Sequence, residues 1–400
     1  MGFLFPQPSR RHGSKPSRRP HTSSTSRSNS SASSTSGPLS IAQLCDADPD
    51  TIYETDAQIE AASPGEGTPD YDYVGPSSRS HAAETFSDMA PVYESGLQYH
   101  GLQRSPPASR NAAAKLYALP NDEVEKNRDD MKHNMATALM GDQLFHAPVH
   151  RRLAAGGQVF DLGTGTGIWA IELGEKYPRT TVRGVDLSPI QPAYVPGNVF
   201  FGVDDFEDDW PYEPGFFDFV HMRFSLWAVD DRMSLFSKMY HYTKPGGYVE
   251  FQEFIPILEC DDGTLPPAHA APNALRDFIA YVQMGLQQSQ QLAGEFLSDE
   301  LPHELRYAGF EGVRTVIHKC PIGTWPKNKE LRRCGMLLQA AILEGLKGWA
   351  YRPLGMTAGG LGWTPTQIEM FLIEVRKAIM DPSIHGYFPM QVTYAYKPME

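Results

Sequence analysis

An open, doubly wound α/β sheet is the fold class this sequence predicts, and three observations predict it. From residue 157 onward, short apolar runs alternate with amphipathic ones at the pace of βα units. At the first junction, "VFDLGTGTGIWAIEL" (159–173), glycine takes every second position, 163, 165 and 167, where an apolar strand gives way to a helical pattern. An acid, Asp186, closes the second apolar run. Sheets of this kind bind ligands outside the carboxyl ends of their strands, where strand order reverses.

The chain does not begin that way. Residues 1–45 carry six bases (Arg10, Arg11, Lys15, Arg18, Arg19, Arg27) and no acid, whereas 46–94 carry twelve acids against Arg79 alone. Both stretches are poor in large aliphatics, and "HTSSTSRSNSSASSTSG" is a serine tract. Such composition buries too little apolar surface to offset the entropy of ordering. A disordered tail over 1–94, basic then acidic, and one folded domain over 95–400 are therefore expected. "RRHGSKPSRR" (10–19) holds two dibasic clusters at the spacing of a bipartite nuclear-import signal. A solubilising basic tail is the plain alternative.

The first element expected is a helix in "NDEVEKNRDDMKHNMATALMG". Asn121 would cap it, its first turn is acidic, and Val124, Met131, Met135 and Leu139 recur at helical spacing. It lies upstream of the glycine stretch and could fold across it. "GQVFDLG" is the first strand of the sheet and "IWAIELGEKYP" a helix closed by Pro178. "TVRGVDLS", "GNVFFGVDDF" and "FFDFVHMRF" are the next three strands, "MSLFSKMYHYT" a helix, and "GYVEFQEF" a fifth strand preceded by a turn at KPGG. Leu275, Phe278, Ile279, Val282 and Leu286 make an amphipathic helix within 274–297, and "LPHELRYAGFEGVRTVIHK" reads as helix then strand. Leu338, Ile342, Leu346 and Trp349 share one helix face, and Thr364-Pro365 opens another helix as a cap followed by proline at the first position. "YFPMQVTYAYKP" alternates as a last strand.

Composition narrows the function. A net charge of −13, 41% hydrophobic and 21% charged residues fit a soluble globular core. No apolar run approaches the roughly 20 residues that span a bilayer. Cys45, Cys260, Cys320 and Cys334 form no C-x-x-C pair, which argues against a disulfide framework or zinc knot and fits a reducing compartment. His133, His241, His269 and His303 match no metal spacing, so no metal is assigned. The folded part is acidic, which disfavours direct nucleic-acid binding.

The glycines let the chain turn sharply and bring a ligand against the backbone at the start of a helix, whose free N–H groups favour anionic groups. Asp186 offers two acceptor oxygens to the hydroxyls of a ribose, so a nucleoside derivative is expected. A dinucleotide fingerprint would need glycine where Ile168 stands, and no G-K-[ST] follows as in a P-loop. D-x-G-x-G-x-G instead sets Asp161 where it can accept from a ligand ammonium. An adenosyl ligand bearing both amino and carboxylate groups, S-adenosylmethionine, fits. "DDF" (204–206) would supply an acceptor and an aromatic edge to its adenine. The expected cofactor site is Asp161, Gly163, Thr164, Gly165, Gly167, Asp186, Leu187, Asp205 and Phe206. Candidate catalytic residues are His221 and Arg223 at the end of the fourth strand and Glu253 near the end of the fifth, the last as a base. Each has a plain structural alternative, and Trp169 is read as packing.

The run "FDLGTGTGIWAIELGEKYPRTTVRGVDLSPIQP", with "YHGL" (99–102), "LPNDEVEKNRDDMKH" (119–133), "FVHMRF" (219–224) and "KPGGYVEFQE" (244–253), resembles the class I S-adenosylmethionine-dependent methyltransferases, and within them the fungal LaeA-like group. Thr164 stands where many relatives have cysteine, a change that leaves the backbone contact intact. The resemblance implies a Rossmann-like sheet whose last two strands form an antiparallel pair at its edge. Helical insertions at 265–300 and 328–352 would cover the acceptor side. It also implies a regulator of secondary metabolism, located in the nucleus and linked to velvet-type protein partners. A cytoplasmic enzyme methylating a natural product, and a cofactor-binding scaffold without transfer activity, stay open at this point, as does the methyl acceptor.

Overall fold

The structure is a computed structural model that describes residues 51–53, 58–62, 91–100, 117–289, 300–356 and 358–399. All of them fall in the unit Ala47–Glu400. Three pieces of the stretch expected to lack structure are placed. Strand β1 (Thr51–Tyr53) lies along one edge of the sheet, and Ala61 bridges to Pro326 beside a buried Ile59. Strands β2 (Val92–Glu94) and β3 (Leu97–Tyr99) form a hairpin. Its two-residue loop, Ser95 and Gly96, has φ of 53° and 79°, the left-handed pair that matches strand twist. The expected boundary at 94/95 therefore does not hold at these residues. The basic stretch 10–19 lies outside the described residues.

The strands that follow are β4 (Gln158–Leu162), β5 (Thr181–Asp186), β6 (Val199–Val203), β7 (Phe217–Arg223), β8 (Thr243–Phe254), β9 (Glu311–Pro321) and β10 (Tyr387–Tyr396). The sheet order is β1-β9-β10-β8-β7-β4-β5-β6. Strands β4 to β8 run parallel, and β10 is antiparallel to both β8 and β9. Order reverses at β4, which sits between β5 and β7. The central strands β4 and β7 are buried along nearly their whole length, as the near-continuous apolar runs require of a parallel sheet covered on both faces. One expectation shifts: β9 is not the edge, because β1 pairs outside it. KPGG is not a turn before strand β8 but a bulge inside it. The pairing with β7 jumps from Phe217↔Thr243 to Phe219↔Tyr248, with Gly246 at φ 68°.

Eight helices are described: α1 (Glu123–Leu139), α2 (His150–Gly156), α3 (Ile168–Lys176), α4 (Arg232–Tyr242), α5 (Ala274–Gln288), α6 (Leu301–Tyr307), α7 (Lys329–Leu354) and α8 (Pro365–Met380). Their starts follow local chemistry. Asn273 accepts from two first-turn N–H groups of α5, Asn328 does the same for α7, and Thr364 closes a full capping box with Gln367 on α8. The cap of α1 is Asp122, not Asn121: its carboxylate accepts from Glu125 N at 3.0 Å. Asn121 is used elsewhere, its side chain donating to Ser188 Oγ at 3.3 Å and accepting from Gln98 Nε2 at 3.2 Å. That choice ties the start of α1 to the end of β5. Apolar faces of α1, α5, α7 and α8 form one core cluster, and the sheet with α4 and α6 forms another.

Candidate active site

The loop between β4 and α3 turns as the glycines demand: Gly163, Gly165 and Gly167 have φ of 68°, 56° and 80°. Its backbone is fastened to β5, with Gly163 N and Thr164 N both donating to Val185 O. The three glycines are not equivalent. A Cβ at Gly165 would meet only Asp129 Oδ2, at 3.4 Å, so this glycine faces open space. A Cβ at Gly163 would strike Ser225 Oγ at 2.6 Å, and one at Gly167 would strike the Phe201 ring at 2.3 Å. Gly167 therefore serves packing and is not on the cavity wall, although the sequence placed it with the ligand contacts.

A cavity of about 290 Å³ opens at the carboxyl ends of β4, β5, β7 and β8. Asp161, Gly163, Thr164, Gly165, Asp186, Leu187 and Phe206 line it, as do His221, Arg223 and Glu253. Asp205 does not: its Oδ1 accepts from Glu207 N at 3.0 Å, a turn closed within the loop. Asp186 Oδ2 accepts from Gly165 N at 2.9 Å and Oδ1 from Ser188 N at 2.9 Å. Burial pushes its pKa up to about 6, while those two N–H groups oppose the rise.

Asp161, 3% exposed, accepts from Thr164 Oγ1 at 2.6 Å and holds His221 Nδ1 at 2.7 Å. The His221 ring lies flat on Trp169, centroids 3.6 Å apart, so this tryptophan packs the helix to the sheet as expected and also lines the cavity. Burial pulls the His221 pKa below its ordinary value against the pull of Asp161. Arg223 Nη2 lies 2.9 Å from His133 Nδ1, and its buried Nη1 has no hydrogen-bond partner among the described residues. Glu253 uses Oε1 to accept from Ser225 N at 3.0 Å and Leu226 N at 2.9 Å, bracing the turn Leu226–Ala228. Burial raises its pKa to about 7. Glu250, on the other face of β8, takes N–H bonds from His146 and Ala147 and is turned away from the cavity wall.

Helix α1 does fold across the glycine loop. Thr166 Oγ1 donates to Asp130 Oδ1 at 2.8 Å, and His133 Nε2 lies 3.0 Å from Glu172 Oε2 on α3. Tyr117, Asn121, Arg128, Asp129 and Lys132 join the wall from this side; the sequence pointed to Asn121 only as a helix cap and to the other four not at all. The acidic pair Asp129-Asp130 within "NRDDMKH" was the available signal.

The residues fit S-adenosylmethionine. Gly165 leaves room for a close approach, Asp186 stands at the end of β5, and Phe206 offers a ring. Asp129, Asp130, Asp161 and Asp186 surround the loop with carboxylates suited to a ligand carrying a sulfonium and an ammonium. When bound, that group supplies an electrophilic methyl. The chain's own work is to orient and to manage the acceptor's proton.

A protein family described as a methyltransferase domain matches residues 131–315. Methyltransferase pytC of Aspergillus terreus is 35% identical over 313 residues, which covers 76% of this chain and 88% of that protein. Secondary metabolism regulator LAE1 of Cochliobolus heterostrophus is 30% identical over 311 residues, 77% of this chain and 95% of that one. Secondary metabolism regulator laeA of Aspergillus niger is 29% identical over 350 residues, 87% of each chain. The strand order, the glycine loop at its reversal point and these similarities agree: the chain belongs to the LaeA-like family of S-adenosylmethionine-dependent methyltransferases.

Proposed function

We propose that this methyltransferase acts in fungal secondary metabolism on a small, largely apolar acceptor. The observation that supports the reading is the continuity of the cavity. Beyond the cofactor residues its wall passes without a break to Leu275, Phe278 and Val282 of α5 and to Leu338, Leu346 and Trp349 of α7. These are the insertions expected over the acceptor side, and their inward stripes serve both the core and the cavity. An apolar chamber beside the methyl donor accepts a compact lipophilic molecule at low desolvation cost. A charged peptide side chain would have to leave its hydration behind.

The likeness to LAE1 and laeA supports a second role, as a regulator acting in the nucleus with velvet-type partners. Under that reading the dibasic clusters at 10–19 are an import signal.

The test is conversion of S-adenosylmethionine to S-adenosylhomocysteine by purified protein, first with lipophilic fungal metabolites and then with candidate protein partners. Turnover with metabolites alone is expected. Turnover only with proteins, or none with either, would replace this reading by the regulator. A fluorescent fusion lacking residues 1–27 separates the locations: a shift from nucleus to cytoplasm is the outcome the import signal predicts.

A further inference from the structure

We propose that the acceptor is a planar, conjugated ring bearing a weakly acidic hydroxyl, a phenol or ring enol, and that Glu253 takes its proton. The inference rests on the small-molecule reading above and narrows it to one acceptor class.

The chamber is aromatic, not merely apolar. Tyr117 and Trp227 lie 5.5 Å apart between centroids, Trp227 and Trp349 5.6 Å, and Phe224 stacks on Phe254 at 5.2 Å. All five rings line the cavity. Rings in such number favour a flat π-system, which gains by stacking and edge contacts beyond its area burial. They could also cage a cation, but three protein cations already serve these rings. Arg128 sits over Trp349 at 5.8 Å, and Lys132 and Arg223 sit over Phe224 at 5.0 and 5.6 Å. Glu125 and Asp129 pair with Arg128 and Lys132, but these cations occupy the ring faces an ammonium acceptor would need. Arg223, whose Nη1 has no hydrogen-bond partner among the described residues, can stabilise oxygen gaining negative charge.

Glu253 is on the same wall. It lies at the carboxyl end of β8, on the face opposite Glu250, and Oε1 is fixed by Ser225 N and Leu226 N. Oε2 has no hydrogen-bond partner among the described residues and so is available to an acceptor hydroxyl. The charged groups facing this carboxylate are Lys132 of α1 and Arg232 of α4. The step balances. The hydroxyl proton passes to Glu253 Oε2, the acceptor oxygen forms a bond to the methyl carbon, and the carbon–sulfur bond breaks with its electron pair left on sulfur. The products are a methyl ether, S-adenosylhomocysteine and a protonated Glu253 that returns its proton to water.

The experiment titrates 2-naphthol into protein loaded with S-adenosylhomocysteine, by calorimetry across a pH series, and measures methyl transfer in parallel. Two probes of similar shape accompany it: 2-decalol, the saturated alcohol, and 2-naphthylmethylammonium. Wild type is expected to bind 2-naphthol at least ten-fold more tightly than either. Its affinity should rise as pH passes through about 7, where an ionised carboxylate becomes available to accept. Glu253→Gln keeps a carbonyl oxygen for the two N–H groups. It should bind S-adenosylhomocysteine like wild type, lose the pH-dependent rise, and transfer methyl about 10²–10⁴-fold more slowly, the usual worth of a general base. Tighter binding or faster methylation of the ammonium or the saturated alcohol would overturn the acceptor class. Unchanged turnover in Glu253→Gln would overturn the base. If Glu253→Gln does not fold, the three-probe comparison on wild type still decides the class. If no small molecule is methylated by protein that binds S-adenosylhomocysteine, the small-molecule reading itself fails.

Discussion

Positions 165 and 167 would reject a side chain for different reasons. Gly165 faces open cavity, so Gly165→Val should fill the space a ligand needs and abolish binding at concentrations that saturate wild type. Its φ of 56° adds about 1–3 kcal/mol of backbone strain to that variant. Gly167→Ala would set a methyl against the Phe201 ring at φ 80°. It should destabilise the fold by about 2–3 kcal/mol, read by urea unfolding, and leave the affinity of the folded protein little changed. Asp186→Ala removes the acceptor of Gly165 N and Ser188 N. A loss of about 1.5–3 kcal/mol, as for hydrogen bonds to a charged group, means a ten-fold or greater fall in cofactor affinity by calorimetry. The sharp turn at these glycines was legible because it is local chemistry, an alternation no other residue tolerates as well. The partner of Gly167 was not, since Phe201 arrives from a different strand. Asp205 shows the opposite failure: its carboxylate is drawn into a turn with Glu207 N, a local competitor that the D-D-F-E spacing already allowed.

Helices and strands were legible wherever one face had to be apolar, and their ends were legible wherever one cap had no rival. Thr364-Pro365 had none. Asn121 and Asp122 are adjacent and equally able to cap, and contacts with Gln98 and Ser188 decide between them. The hairpin of β2 and β3 was hidden for another reason. Its first strand lies in a stretch whose average composition resembles a tail, yet one buried arginine holds it. Arg352 on α7, 3% exposed, stacks on the Tyr99 ring at 3.4 Å, pairs with both oxygens of Glu94, and donates to Tyr117 O. The same arginine therefore fastens the hairpin and the cavity-lining Tyr117 to the helix that walls the acceptor side. Breaking a fully buried ion pair costs about 3–5 kcal/mol, and Glu94 keeps some contact with water, so Glu94→Ala should cost about 2–3 kcal/mol in urea unfolding. A loss below about 0.5 kcal/mol, the size expected of a surface pair, would contradict this anchoring.

The domain as a whole carries buried groups that make its stability depend on pH in opposite directions. Burial pushes Glu250 up to about 7 from 4.5. Its contribution is therefore fully present below about 4.5 and lost as pH rises through about 7. His318, pushed down to about 4 by burial beside His146, contributes above about 6.5 and loses that contribution as pH falls through about 4. Glu250→Gln should accordingly flatten the decline in melting temperature between pH 4.5 and 7. A slope equal to that of wild type would remove Glu250 as its cause. Truncation checks the placement of the N-terminal pieces. A chain starting at Ala47 should melt with the full-length protein, whereas one starting at Ser95 loses β1 and Glu94 and should melt several degrees lower. Strand order and the glycine loop follow from periodicity, but the aromatic chamber joins rings from residues 117, 224, 227, 254 and 349, which only tertiary packing brings together. All of this serves one act, holding a methyl donor over the Gly163–Gly165 turn beside that chamber. Titration of S-adenosylhomocysteine into the purified, folded protein tests it most directly. One-to-one binding that Gly165→Val abolishes is the predicted result, and a well-folded wild-type protein that does not bind would contradict it.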